Sequence, residues 1–244
     1  MTIRQRSDTA ARPEGFDARL EAAFAWVADH WMAALGVVGG LLVTGGIVAG
    51  AYEYRQRTED AAQVALAQVE NRFVRAMGGD VQATLISEPA NPELARTARE
   101  EALAEYDEVA IEHGGTRAAD LARLRAAEME VGLGHWNEGQ RRLAELAAEL
   151  DAEDPLRAVA LRLRGYVLEQ QGRFADAGEA YAEAAAVRSY PARGSLWMTA
   201  GEAYARAGQG DLALDAFQEA LAADPELAEQ AGVVDRLSEL SVSR

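Results

Sequence analysis

The chain has 244 residues, with 40 acidic side chains against 24 basic ones and a formal net charge of −16. This acid excess argues against nucleic acid as a partner, because phosphate binding requires a basic surface. Cysteine is absent, which excludes disulfides and thiolate metal sites. With six prolines and abundant alanine, the composition favours an all-α fold over a β fold.

The first predicted element is an amphipathic helix in an N-terminal segment of residues 1–30. Pro13 suits a first helical turn. Large apolar side chains then recur on one helical face: Phe16, Leu20, Phe24, Val27 and Trp31. This helix would either lie against lipid or dock on a helix of a partner protein.

Residues 31–52 form the next element, a predicted single transmembrane helix. The 22 residues WMAALGVVGGLLVTGGIVAGAY carry no charge. As a helix they would be about 33 Å long, enough to cross a hydrocarbon core of roughly 30 Å. Six of them are glycine, and each glycine would weaken a helix in water by about 1 kcal/mol relative to alanine. The composition therefore favours lipid surroundings.

The glycines of this span also have spacings that permit close packing of membrane helices: Gly36, Gly40, Gly46 and Gly50. The alternative to a retained span is a cleaved signal peptide, since Ala49-Gly50-Ala51 has the form of a cleavage site. The apolar stretch is longer than a signal peptide requires, so we expect the span to be retained. Flanking arginines are balanced, so charge alone does not indicate the orientation.

Residues 53–91 are predicted to form a linking helix and a loop. An apolar stripe at helical spacing continues beyond the span: Ala62, Leu66, Val69, Phe73 and Met77. Gly78-Gly79 ends this helix, and residues 78–91 form the loop. Asn91 followed by Pro92 predicts the start of the next helix, because asparagine caps helices and proline suits the first helical position.

An internal repeat dominates residues 92–244. Gly165, Gly172, Ala177, Tyr181 and Ala184 recur 36 residues later as Gly201, Gly208, Ala213, Phe217 and Ala220. The second copy also has Trp197, Tyr204 and Pro225, so the pattern resembles the tetratricopeptide repeat. The resemblance implies antiparallel helix pairs stacked in an α-solenoid, with small residues where the two helices of a pair cross.

Degenerate copies precede these two repeats. Gly134 and Trp136 stand 38 residues before Gly172 and Phe174, and Ala102 with Tyr106 look like the second helix of an incomplete repeat. The tail carries three apolar residues at helical spacing: Val233, Leu237 and Leu240. We expect this tail to be a capping helix, because terminal repeats of a solenoid need a protecting element.

No catalytic or cofactor motif is present in the sequence. The three histidines, His30, His113 and His135, lie in unrelated contexts without metal-ligand spacing. Nucleotide-binding and hydrolase motifs are absent, and no lysine exists to bind a phosphate. The sequence therefore predicts a binding scaffold rather than an enzyme, with no cofactor, metal or small-molecule substrate.

The whole layout resembles the membrane-anchored ancillary subunit of the bacterial Sec translocon. Trp26 before the span, Tyr52-x-Tyr54 after it and the run DLARLRAAEMEVGLGHW at residues 120–136 carry this likeness. The resemblance implies an inner-membrane protein with a cytoplasmic N-terminus and a periplasmic repeat domain. Its partners would be translocon subunits, chaperones or emerging chains. The alternative is an accessory subunit of another envelope complex, held mainly through its membrane helix.

The repeat pattern also predicts a partner-binding groove. In tetratricopeptide repeats four positions of each inner helix face the concave side. Here they are Leu121, Leu124, Glu128 and Val131; Val159, Arg162, Tyr166 and Glu169; and Ser195, Met198, Glu202 and Ala205. The absence of lysine and asparagine among them argues against a clamp for a C-terminal carboxylate. The mixture of apolar and acidic side chains favours apolar, somewhat basic segments; alternatively, these residues only solvate the solenoid.

Overall fold

The computed structural model describes residues 25–26, 31–79, 89, 91–230, 232–233 and 236. This part of the chain is helical and contains no strand, so the all-α prediction is confirmed for it. The helices are α1 (Trp31–Ala76), α2 (Pro92–Glu112), α3 (Arg117–Gly132), α4 (Trp136–Glu149), α5 (Pro155–Gln170), α6 (Phe174–Ala186), α7 (Arg193–Arg206), α8 (Gly210–Ala223) and α9 (Pro225–Gln230).

Three predictions fall wholly or mostly outside the described residues. They concern the N-terminal amphipathic helix, most of the loop 78–91, and the capping positions Leu237 and Leu240. The predicted helix start at Asn91 is confirmed, because its side chain accepts a hydrogen bond from the Glu93 N–H at 3.1 Å and Pro92 is the first helical residue.

The chain divides into two compact units, residues 1–57 and residues 58–244. In the first unit, the described part of α1 leaves its large apolar side chains exposed: Trp31, Met32, Val43, Ile47, Val48, Tyr52 and Tyr54. An added Cβ at Gly36, Gly46 or Gly50 would meet no atom within 4 Å. Around Gly36, Gly46 and Gly50, the surface of α1 is therefore open within the described part of the unit.

Among the residues that the structure describes, none of the helices has the length and apolarity that crossing a bilayer requires. The side chains of residues 33–35 and 37–42, including the position of Gly40, lie outside the described part. The transmembrane span at residues 31–52 accordingly stays a prediction. The helix α1 continues without interruption from residue 31 to residue 76, as the helical spacing beyond the span predicted.

The second unit is a stack of helical hairpins. Each helix from α2 to α8 packs against the next one along the chain. The short turns within the pairs α3–α4, α5–α6 and α7–α8 carry glycine at the same place. Gly134, Gly172 and Gly208 have φ angles of +83°, +73° and +75°, a region that side chains with a Cβ rarely adopt. These features establish the tetratricopeptide-type helical repeat that the sequence predicted.

In two of the hairpins, α5–α6 and α7–α8, a glycine of the first helix packs closely against an aromatic ring of the second. A Cβ added to Gly165 would lie 2.7 Å from Tyr181, and one added to Gly201 would lie 2.6 Å from Phe217. This differs from the predicted pairing of each glycine with a small residue of the second helix. Ala177 and Ala213 are fully buried. The space that a side chain at the glycine would fill is nevertheless occupied by the aromatic ring.

A fourth helix pair precedes the three that the turns identify. Ala62, Leu66 and Val69 of α1 belong to one buried cluster with Tyr106 of α2 and Ala122 of α3. The compact unit therefore begins at Thr58, whereas the sequence pattern predicts that the domain starts at residue 92. The difference arises because residues 77–91 separate α1 from α2, a connection longer than the turns of the repeat.

Polar contacts fix this first pair as well. Arg72 of α1 donates a hydrogen bond to Glu105 of α2 at 2.9 Å. The Glu59 carboxylate accepts from the backbone N–H groups of Arg117 and Ala118, at 2.9 and 3.1 Å. A carboxylate at the N-terminus of α3 satisfies free N–H groups and complements the helix dipole.

Candidate protein-binding groove

The predicted groove residues lie on α3, α5 and α7, the first helices of the three hairpins. Most of them reach solvent: Arg162, Tyr166 and Glu202 are exposed, while Leu121, Glu128, Val131, Val159, Glu169, Ser195 and Met198 are half-buried. Tyr166 keeps 45% of its surface exposed. An exposed tyrosine on an inner helix is a suitable contact for a bound segment, because it combines an apolar ring with a polar hydroxyl.

Leu124 requires a correction. Its exposed fraction is 4%, and it packs in the hydrophobic core with Ala127 and Leu143. The position therefore holds α3 against the neighbouring helices and is not available to a partner. Leu121, one helical turn earlier, packs against the same core but remains partly open.

Arginines compensate the acids of the groove. Glu128 pairs with Arg125 at 2.8 Å, and Glu202 pairs with Arg236 at 2.6 Å. Glu169 pairs with Arg206 and also accepts a hydrogen bond from the Tyr181 hydroxyl at 3.2 Å.

Arg162 is different from these arginines, because it forms no ion pair with any residue that the structure describes. Because the three glutamates of the predicted groove each pair with an arginine, the groove is less acidic than its sequence suggests.

Two buried tyrosines remain protonated at neutral pH. Burial, with the charge of nearby Glu169, raises the pKa of Tyr181 above its ordinary value. Burial, with the charge of Glu70, raises the pKa of Tyr106 to about 12. Both hydroxyls are neutral hydrogen-bond donors, as tyrosine hydroxyls ordinarily are at this pH, and that of Tyr181 donates to Glu169.

The last repeat is partly covered by the C-terminal residues of the chain. Ser195, Met198 and Glu202 line a cavity of about 170 Å³ together with Val233 and Arg236. Val233 is 1% exposed, as a residue of a capping element should be. Val233 and Arg236 thus cover part of the predicted groove at α7, which leaves its α3 and α5 positions more accessible.

A larger cavity lies where α1, α2 and α3 meet. It has a volume of about 350 Å³ and includes Glu128, one of the predicted groove positions. The other lining residues include Glu70, Phe73 and Val74 of α1 and Tyr106 of α2, none of which belongs to the groove that the sequence predicts. The apolar stripe on α1 was visible in the sequence. Its packing against α2 and α3 was not.

The chain is similar to several solved structures, among them the following two. A kinesin light chain-like protein of Podosopora anserina, built of nearly identical TPR-like repeats, is 13% identical over 72% of this chain and 94% of its own, with a TM-score of 0.46. The structure of MamA is 17% identical over 64% of this chain and 92% of its own, with a TM-score of 0.41. No protein-family model and no curated protein matches the chain.

Proposed function

We propose that this protein is a membrane-anchored scaffold that binds protein segments along α3, α5 and α7. The observation that carries this proposal is a surface on the inner helices that stays open after the solenoid is packed. Tyr166 is exposed there, with Leu121 and Val159 half-buried beside the core. Exposed apolar surface framed by charged groups is typical of protein-binding sites.

Membrane anchoring is supported by the first unit. The uncharged residues 31–52 and the exposed side chains of Trp31, Ile47 and Tyr52 would be poorly solvated in water. Lipid would cover the aliphatic residues, and the aromatic residues at the two ends would lie at the membrane interfaces.

The cellular setting rests on the resemblance to the Sec ancillary subunit. We propose an inner-membrane location with the N-terminus in the cytoplasm and residues 58–244 in the periplasm. The bound segments would then belong to translocon subunits, periplasmic chaperones or emerging chains. Charge complementarity supports partners that are apolar and somewhat basic, because the chain as a whole carries a net charge of −16.

A second candidate function is an accessory subunit of another envelope complex, held through α1. The open faces at Gly36, Gly46 and Gly50 favour it, because small residues let a second membrane helix approach closely. In this case partner contacts would concentrate on residues 31–52, and the groove would only solvate the solenoid.

Photo-crosslinking in cells that produce the full-length protein tests both functions. A photoreactive residue replaces Tyr166 on the groove, Ile47 on α1, or Glu145 on an outer helix as the control. We expect protein adducts from Tyr166 well above those from Glu145, which is also exposed.

Adducts from Ile47 without adducts from Tyr166 would favour the second function and contradict groove binding. Protease added to spheroplasts should digest residues 58–244, and protection of this domain until lysis would overturn the proposed topology.

A further inference from the structure

The cavity between α1, α2 and α3 has mainly apolar walls. Phe73 and Val74 line it from α1, Met129 from α3 and Tyr106 from α2. Its volume of about 350 Å³ lies within the range of roughly 300–1,000 Å³ that is usual for ligand sites. A cavity of this size and lining can hold a large apolar side chain.

The polar rim of the cavity carries a net negative charge. Arg125 lies between two carboxylates, with its guanidinium 3.2 Å from Glu70 and 2.8 Å from Glu128. One positive charge shared by two negative ones leaves one negative charge uncompensated within this group. The side chains of Glu70 and Glu128 are 41% and 31% exposed, so a basic group that approaches from solvent can reach them.

Tyr106 provides a second, independent observation. It is only 1% exposed and lines the cavity. Its phenolic hydroxyl carries its proton at neutral pH, so it can donate a hydrogen bond to a carbonyl oxygen of a bound chain.

We propose that this cavity is an anchor pocket for a bound protein segment, and that it takes one leucine, methionine or phenylalanine side chain. A neighbouring arginine or lysine of the segment pairs with Glu70, and the Tyr106 hydroxyl donates to the segment's backbone. This inference rests on the proposed function, since it concerns the same groove at Glu128. It adds the position of the anchor and the side chains that are recognised.

Fluorescence anisotropy with the full-length protein in lipid nanodiscs tests the proposal. Three labelled synthetic peptides serve as probes: leucine flanked by arginines, the same peptide with glutamate for arginine, and the same peptide with serine for leucine. We expect the leucine–arginine probe to bind most tightly, because only it offers both the apolar anchor and the complementary charge.

Variants then locate the binding. Val74→Trp fills the cavity, and we expect it to weaken the leucine–arginine probe at least about tenfold, the value of one large apolar side chain lost from its pocket. Val64→Trp is the matched control, because Val64 lies on the same helix and is 58% exposed. Glu70→Gln should weaken the same probe about two- to fivefold and reduce its salt dependence, with Glu145→Gln as the control.

The following outcomes would overturn the proposed anchor pocket or the proposed function. Equal affinities of the three probes, or equal effects of Val74→Trp and Val64→Trp, would overturn the anchor pocket. If Val74→Trp does not fold, as judged by its melting curve, an unchanged affinity in both Glu70→Gln and Tyr106→Phe would overturn it instead. Weakening by Tyr166→Ala without weakening by Val74→Trp would refute the pocket and leave groove binding intact. Absence of adducts from Tyr166 refutes the proposed function separately.

Discussion

At the scale of single residues, the fold depends on places where a ring occupies the space of an absent side chain. Gly165 admits Tyr181 and Gly201 admits Phe217 within their hairpins, and Gly178 admits Tyr204 between two repeats. The same glycines would be weak points of an isolated helix, because glycine costs about 1 kcal/mol relative to alanine. The packing of the rings compensates for this loss.

This packing predicts opposite effects of two identical substitutions. Gly201→Ala places a Cβ about 2.6 Å from the Phe217 ring, and overpacking of this kind typically costs about 1–3 kcal/mol. Gly210→Ala meets no atom within 4 Å, so only the gain in helix propensity remains. We expect thermal denaturation to show a lower melting temperature, by several degrees, for Gly201→Ala alone. Equal melting temperatures would contradict the close approach.

At the scale of elements, arginines and acids about one repeat apart hold adjacent hairpins in register. Arg117 at the start of α3 pairs with Asp154 at 2.7 Å, and Arg142 of α4 pairs with Asp107 of α2 at 2.6 Å. Asp154 also caps α5, since its carboxylate accepts from the Leu156 N–H at 2.8 Å. The Asp154 side chain therefore caps the N-terminus of α5 and also links this helix to the preceding repeat.

The pKa of Asp154 predicts a pH-dependent contribution to stability. Burial alone would raise this pKa, but hydrogen bonds from Arg117 and from the Leu156 N–H outweigh burial and hold it below its ordinary value. A carboxyl with a lowered folded-state pKa stabilises the protein above its unfolded-state pKa, about 3.9, and loses this effect as the pH falls through the folded-state value.

We therefore expect Asp154→Ala to lower the free energy of unfolding at pH 7 by about 1–2 kcal/mol. The difference from the unsubstituted protein should shrink below about pH 4, where the carboxyl becomes protonated. Urea denaturation at several pH values measures this dependence. Asp151→Ala is the control, since Asp151 is exposed three residues upstream. An effect of Asp154→Ala that is constant down to pH 2 would rule out the electrostatic explanation.

At the scale of the whole molecule, the domain begins inside α1. The apolar face of Ala62, Leu66 and Val69 covers Tyr106 and Ala122, so residues 58–76 belong to the solenoid as the first helix of its first pair. The same helix begins at Trp31 among the residues predicted to lie in the membrane.

Two truncated chains test where the domain starts. A chain of residues 58–244 should unfold cooperatively, because it contains the complete second unit. A chain of residues 92–244 loses the cover of Tyr106, and each large apolar side chain left exposed costs about 1.5–3 kcal/mol. We expect a lower melting temperature and stronger binding of a hydrophobic dye for the shorter chain. Indistinguishable melting curves would return the boundary to residue 92.

The repeat, its glycine turns and the all-helical character of the described residues could be predicted from the sequence. These features depend on short-range rules: Gly172 and Gly208 mark backbone turns, and small and aromatic residues recur with the length of one hairpin. The same count places Tyr166 and Glu202 on the concave side of the inner helices, and this assignment stays a prediction. Each of these signals is local in the sequence, so it can be recognised without knowledge of the tertiary contacts.

Tertiary structure alone decided the rest. Residues 77–91 separate α1 from α2 in the sequence, and the spacing of the repeat does not predict that these two helices pack together. Leu124 is a core residue because α4 and α5 pack over it. Glu202 forms an ion pair with Arg236, which lies 34 residues away in the sequence. The cavity at Tyr106 exists only where three helices meet, because its walls come from segments that are distant in the chain.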